Sequence, residues 1–383
     1  MHIVIAIDSF KGSLSSPAAG AAAREGILLA SPTADVRVFP IADGGEGTAR
    51  ALTFGMGGEM VSVTVTGPLG TPVTAEYGYI PETKTAVLEM ASASGITLVA
   101  PEERNPLYTT TFGVGELILH AAKERGCRRF IVGIGGSATN DGGVGMLSAL
   151  GVSFLDARGK EIPMGARGLS VLDRIDVSNL APEIADSRFY VACDVKNPLC
   201  GEHGCSAVFG PQKGATPDMV KEMDQDLSRY AALTEQVTGK DAKDASGAGA
   251  AGGLGFAFLS YLNAELRSGI SLVMEQTGIE DAIKDADLVL TGEGRLDGQS
   301  VMGKVPVGVA SVAKKHGKTV LALSGCIAPD ARLCNEHGID AFFPILPAPC
   351  TLDEAMKTEN AYHNLKNTAE QALRLFLAAK GKK

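Results

Sequence analysis

HIVIAID (residues 2–8) and ADLVLTGEG (residues 286–294) lie near opposite ends of a 383-residue chain, yet they read alike. Each is a short aliphatic run that closes on an acid. Helix-forming stretches follow both, SSPAAGAAAREGILLA (15–30) after the first and GKVPVGVASVAKKHG (303–317) after the second. DVRVFPIAD (35–43) continues the pattern at one end, with GTARALTFG (47–55) as its helix. KTVLALSG (318–325) and DAFFPIL (340–346) continue it at the other, with APDARLCNEHG (328–338) as a helix between them. Continuous apolar strands alternating with helices predict βαβ units in a parallel sheet covered on both faces. KKHGK and NEHGID each place a base and a glycine where a helix should stop.

The middle of the chain behaves differently. GEMVSVTVTG (58–67), PVTAEYGYI (72–80) and KTAVLEMAS (84–92) are closely spaced strands with turn residues at Gly67-Pro68 and Pro81-Glu82, which suits antiparallel pairing. RRFIVGIGG, GVSFLDARG and SRFYVACDV add strands between helices. The expected layout is a discontinuous, doubly wound α/β domain of residues 1–60 and 286–383. A mixed α/β domain, 61–285, is inserted into it, and ligands are expected in the cleft between the two.

Length alone suggests more than one core. Hydrophobic residues make up 45% and charged residues 21%, a soluble globular balance, and the 47 glycines fall between periodic apolar segments. The net charge of −9 comes with no basic cluster, which argues against nucleic acid. No stretch has the apolar length of a membrane span, and the first residues form no signal peptide. Seven cysteines without framework spacing suit reduced thiols and a cytoplasmic setting. In CDVKNPLCGEHGC, Cys193, Cys200, His203 and Cys205 do not have zinc-site spacing. His120, His316, His337 and His363 fall in helical contexts and read as structural or solvated.

The chemistry-bearing residues follow the strands. AIDSFKGSLSS supplies Asp8, Ser9 and Lys11, and LTGEGRLDGQS supplies Glu293, Arg295 and Asp297, with Ser324 and Gly325 after the next strand. IADGGEGTARAL and TNDGGVGMLSAL repeat Asp-Gly-Gly-x-Gly before a helix, with Asp43, Gly44, Gly45 and Glu46 in one and Asn140 and Asp141 in the other. ACDVKNPL adds Asp194 and Asn197. Carboxylates, a few cations and many bare amides suit a phosphorylated ligand held through Mg²⁺. An N-cap or a turn is the bland alternative for each segment taken singly. GAGAAGGLG (247–255), leading into an apolar helix, reads as close backbone packing or ligand approach, with a flexible linker as the alternative.

Two familiar motifs nearly match. GQSVMGKV has the P-loop spacing, but Val305 stands where Ser or Thr is needed, although Lys304 could still reach a phosphate. Gly133-x-Gly135-x-x-Ala138 after a strand, with Asp156 further on, is a fair dinucleotide fingerprint, so an NAD-dependent hydroxyacid dehydrogenase is the rival reading.

Taken together, AIDSFKGSLS, PIADGGEGT, TVTGPLG, EMASASG, TTFGVGELI, GIGGSATNDGG, ACDVKNPL, GAGAAGGLG and LTGEGRLDGQSVMGK resemble the bacterial glycerate kinase family over nearly the whole chain. The resemblance implies a flavodoxin-like domain combined with a restriction-enzyme-like one. It also implies ATP-dependent phosphorylation of D-glycerate with a divalent cation, and favours 2-phosphoglycerate over 3-phosphoglycerate. Homo-oligomerisation is left open.

Within that chemistry, Lys11 and Lys304 are expected on phosphate oxygens. Asp43, Asp194 and Glu293 compete for holding Mg²⁺ and for accepting the substrate's hydroxyl proton, with Asp194 favoured as base. Arg295 suits the glycerate carboxylate. Asp8, Ser9, Asn140, Ser324 and the amides of Gly44, Gly45, Gly135 and Gly136 are expected around the nucleotide.

Overall fold

The computed structural model describes residues 1–42 and 47–381. In chain order its strands are β1 (His2–Ile7), β2 (Asp35–Val38), β3 (Glu59–Thr66), β4 (Pro72–Ile80), β5 (Thr85–Glu89), β6 (Arg129–Gly133) and β7 (Ser153–Leu155). They continue with β8 (Arg174–Asp176), β9 (Arg188–Ala192), β10 (Glu265–Arg267), β11 (Leu288–Leu296), β12 (Thr319–Ile327) and β13 (Ala341–Pro344). The described residues form two compact units, one of 1–42, 54–56 and 270–381, the other of 47–53 and 57–269. The division falls at 269/270, whereas the sequence reading placed it at 285/286. No helix among the described residues is long and apolar enough to cross a membrane.

The first unit is built on a five-stranded sheet of order β13-β12-β11-β1-β2, all parallel. Numbered within the unit, that is 2-1-3-4-5, the flavodoxin-like order. Ile3, Ile5, Ile7, Leu288 and Leu290 form one core with the helices Ser16–Ala30 and Thr358–Lys380. The alternate residues Val4, Ala6 and Val289 are equally buried on the other face, near the helix Val305–Lys315. Burial on both faces is why these strands read as unbroken apolar runs. Helices end where the His-Gly pairs predicted, with Gly317 and Gly338 at φ of 65° and 99°. APDARLCNEHG, expected as a full helix, forms only a four-residue one, Leu333–Glu336.

The second unit has a six-stranded sheet of order β10-β9-β6-β5-β4-β3. β3, β4 and β5 pair antiparallel, and β5, β6, β9 and β10 run parallel. β7 stays out of this sheet and pairs antiparallel with β8 as a separate ribbon. A distinct core gathers Tyr77, Phe130, Phe189, Tyr230 and Phe256.

Candidate active site

In an open parallel sheet the ligand crevice opens at the carboxyl ends of strands where the strand order reverses. In the first unit that point lies between β1 and β11. Ile7 pairs with Gly292, and the Asp8 amide donates to the Gly292 carbonyl at 2.9 Å. Asp8 and Glu293 are thereby the next residues on adjacent strands, and both are buried, at 7% and 6% exposure. A cavity of about 530 Å³ is lined by Asp8, Ser9, Phe10 and Lys11 after β1, by Glu293, Gly294 and Arg295 of β11, and by Lys304. Gly325 and Cys326 of β12 complete its polar side, and Ile345, Leu346, Leu352 and Met356 form an apolar wall. A Cβ on Gly325 would lie 2.7 Å from the Gly294 carbonyl oxygen, so β11 and β12 can approach this closely only without a side chain there.

Each charged group has a defined setting. The Ser300 hydroxyl donates to Glu293 Oε1, while its oxygen accepts from the Asp297 amide at 3.1 Å. Lys304 Nζ is 3.8 Å from Glu293 Oε2. Lys304 is also the N-cap residue of Val305–Lys315, so its ammonium stands at a helix end that already favours anions. Arg295 is exposed, with Nε 3.4 Å from Asp297 Oδ2. Lys11 is exposed and has no carboxylate within ion-pair distance among the described residues. Asp8, Ser9, Lys11, Glu293, Arg295 and Lys304 thus share one cavity.

Ser324 does not join them. It is fully buried, and its hydroxyl lies 2.9 Å from the Glu293 carbonyl and 2.8 Å from that of Cys326. It fastens one strand end to the other, contrary to the expected nucleotide contact. Asp43, Gly44, Gly45 and Glu46 lie outside the described residues.

In the second unit, Asp194 follows β9, is exposed, and accepts from the Gly269 amide at 3.1 Å. Gly135 and Gly136 follow β6 and are exposed, and their amides have no acceptor among the described residues. Asn140 corrects the sequence reading. It is completely buried and donates to Ser206 Oγ at 2.9 Å, which makes it an internal anchor.

The second Asp-Gly-Gly-x-Gly has the same fate. Asp141 accepts from the amides of Thr111 at 2.8 Å, Gly143 at 3.1 Å and Gly145 at 3.3 Å, and from the Thr111 hydroxyl at 2.9 Å. Burial still pushes its carboxyl above the usual range, with those amides pulling the other way. Its glycines serve packing. The Gly142 amide donates to the Gly252 carbonyl at 2.9 Å, and a Cβ on Gly252 would collide with the Thr139 carbonyl. GAGAAGGLG therefore packs backbone against backbone, and the helix Ala250–Tyr261 carries a kink with positive φ at Ala251, Gly252 and Gly253.

These contacts also remove the dinucleotide fingerprint. The helix after β6 starts only at Val144, and Thr139 to Asp141 are buried between them. Asp156 sits in a turn, accepting from the amides of Arg158 and Lys160 at 2.9 Å, next to a ribbon strand. A dinucleotide needs a tight strand-to-helix turn and an acid at a neighbouring strand end.

Ser300, the buried Lys213 and the apolar wall of the cavity escaped the sequence reading. Only the wall had a local signal, the capping box from Thr351 to Glu354, where the Thr351 oxygen accepts from the Glu354 amide at 3.3 Å.

Residues 3–377 match the model of the glycerate kinase family. The chain is 49% identical over 369 residues to a Bacillus subtilis (strain 168) protein named glycerate kinase, covering 96% of each. It is also 49% identical over 365 residues to an Escherichia coli (strain K12) protein named glycerate 2-kinase, covering 95% of each. The crystal structure of a candidate glycerate kinase 2 from Salmonella typhimurium LT2 superposes with a TM-score of 0.92 at 45% identity, covering 100% of this chain and 99% of that one.

Proposed function

The chain belongs to the glycerate kinase family, and on that premise we propose that it transfers the γ-phosphoryl group of ATP to a hydroxyl of D-glycerate, giving 2-phosphoglycerate. The observation that supports this reading is the gathering of Asp8, Lys11, Glu293 and Lys304 around one cavity at the switch point of a parallel sheet.

Phosphoryl transfer asks a protein mainly for positioning and charge neutralisation. Lys11, with no carboxylate of its own, contacts a phosphate oxygen. Lys304 leaves its loose contact with Glu293 for another, at a helix end whose amides favour negative charge. Arg295 takes the carboxylate of the acid through its planar fork. Asp194 accepts the proton of the attacking hydroxyl at its carboxylate. The amides of Gly135 and Gly136 receive further anionic oxygens.

Mg²⁺ binds through one or two carboxylates, with water and phosphate completing its shell. Among the described residues no three His, Cys, Asp or Glu side chains form a metal cage. The pair Asp8 and Glu293 fits the sparser magnesium pattern, and these two residues would hold the ion. When bound, Mg²⁺ supplies positive charge that offsets the phosphate oxygens.

The test is a coupled assay with ATP, Mg²⁺ and D-glycerate, followed by phosphorus NMR of the product. A 2-phosphoglycerate signal is expected. Absence of ATP-dependent product overturns the kinase reading, and 3-phosphoglycerate overturns the choice of hydroxyl.

A further inference from the structure

Three consecutive main-chain amides, those of Gly135, Gly136 and Ser137, have no acceptor among the described residues. Gly136 turns the chain there with a φ of 73°. Beneath this turn Lys213 is 2% exposed, and its ammonium donates to Ser137 Oγ at 2.8 Å and to the Thr139 carbonyl at 2.6 Å. No carboxylate among the described residues lies within ion-pair distance of it. A buried ammonium held only by neutral oxygens is costly, and burial lowers its pKa to about 8. The adjoining Thr139 Oγ1 and Asn140 Oδ1 are buried without partners, so this loop is not arranged to satisfy itself.

Ser137 shows what the ammonium is for. Its oxygen is occupied as an acceptor by Lys213, while its own proton has no acceptor among the described residues. A hydroxyl polarised in that way is a stronger donor. The donor stands beside three open amides, the arrangement that binds anions in backbone nests.

We propose that Gly135, Gly136 and Ser137 form an anion-binding site for a carboxylate or phosphate oxygen, with Lys213 as its positioning residue. The inference rests on the kinase reading and extends it by naming the hydroxyl donor and the buried charge behind it. β6 lies beside β9, with Gly133 paired to Ala192, so this loop and Asp194 leave neighbouring strand ends.

Turnover of the wild type with ATP, Mg²⁺ and D-glycerate reports on the kinase reading alone. Ser137→Ala reports on the site, and its KM for one substrate should rise roughly 10- to 100-fold, the scale of a hydrogen bond to a charged group, while Tm falls because the buried Lys213 ammonium loses an acceptor. A rise confined to D-glycerate assigns the carboxylate, and one confined to ATP assigns a phosphate. Lys213→Met should raise the same KM, and the double variant should be no worse than the worse single one, because the ammonium acts through the hydroxyl. Unchanged KM values in Ser137→Ala overturn the site, and so does an equal rise in both KM values. If Lys213→Met does not fold, Ser137→Ala decides alone. If the wild type shows no turnover, thermal stabilisation by inorganic phosphate takes over as the readout. Its loss in Ser137→Ala supports the site, and its persistence overturns it.

Discussion

Asp8 and Glu293 sit side by side because Ile7 and Gly292 are paired one step earlier on neighbouring parallel strands. Both side chains are buried, and a buried negative charge is costly unless a cation or hydrogen bonds compensate it. Lys304, 3.8 Å from Glu293, supplies part of that compensation.

Glu293→Gln keeps the shape and removes one charge. Turnover should fall roughly 10²-fold, the scale for losing one electrostatic contact in a closed site. The Mg²⁺ concentration for half-maximal rate should rise as well. A titration showing wild-type Mg²⁺ dependence would remove Glu293 from the metal.

Asp194→Asn addresses the proton. A general base lost in this way lowers kcat on the order of 10²-fold or more, with little change in either KM. Steady-state kinetics decide it, and a variant that keeps most of its kcat assigns the base elsewhere.

Gly252→Ala tests the interlock of the two glycine stretches. The new Cβ would meet the Thr139 carbonyl and the Asn140 backbone, at a φ of 66° that side chains rarely adopt. The cost should exceed about 2 kcal/mol in urea unfolding, and a variant of wild-type stability would show that this contact yields easily.

Lys213 gives a pH signature. Its folded pKa is lowered to about 8 against an ordinary value of 10.5, so between those values the unfolded chain holds more protons. Its penalty on the fold is therefore full below pH 8 and falls away as the pH rises towards 10.5. Relative to Lys213→Met, the wild type should gain on the order of 1–3 kcal/mol between pH 7 and pH 10. Cys205, pushed up to about 11 by burial against the pull of the Lys213 charge, works in the opposite sense at high pH, and the charges of Cys205 and Asp141 both act to raise the Lys213 pKa. Urea midpoints at the two pH values measure the difference, and parallel curves would contradict the buried ammonium.

The first unit was legible because burial on two faces leaves a mark that needs no partner to be seen. HIVIAID and ADLVLTGEG carry that mark, and Asp8 and Glu293 follow from where the runs stop. Asp141 looks the same on paper, an acid before glycines after a strand. Its fate is decided by Thr111, far upstream, whose amide and hydroxyl claim the carboxylate. GAGAAGGLG likewise showed that something approaches closely, while what approaches is set by the 139–142 backbone. Lys213 offers no local clue, since a single lysine between turns is usually solvated. Ser324 and Asn140 fail for the same reason, because each hydroxyl or amide is committed to a partner distant in sequence.

The first unit is assembled from both ends of the chain. During synthesis β1 and β2 emerge first, yet β11, the strand that completes the ladder beside β1, appears only after the whole second unit has been made. Domains tend to fold as they leave the ribosome. The second unit can therefore mature early, while the aliphatic amino-terminal segment has only β2 beside it and waits with its β11 edge open to chaperones or proteases. Premature termination anywhere before Leu288 would strand that segment and leave Asp8 without its neighbour.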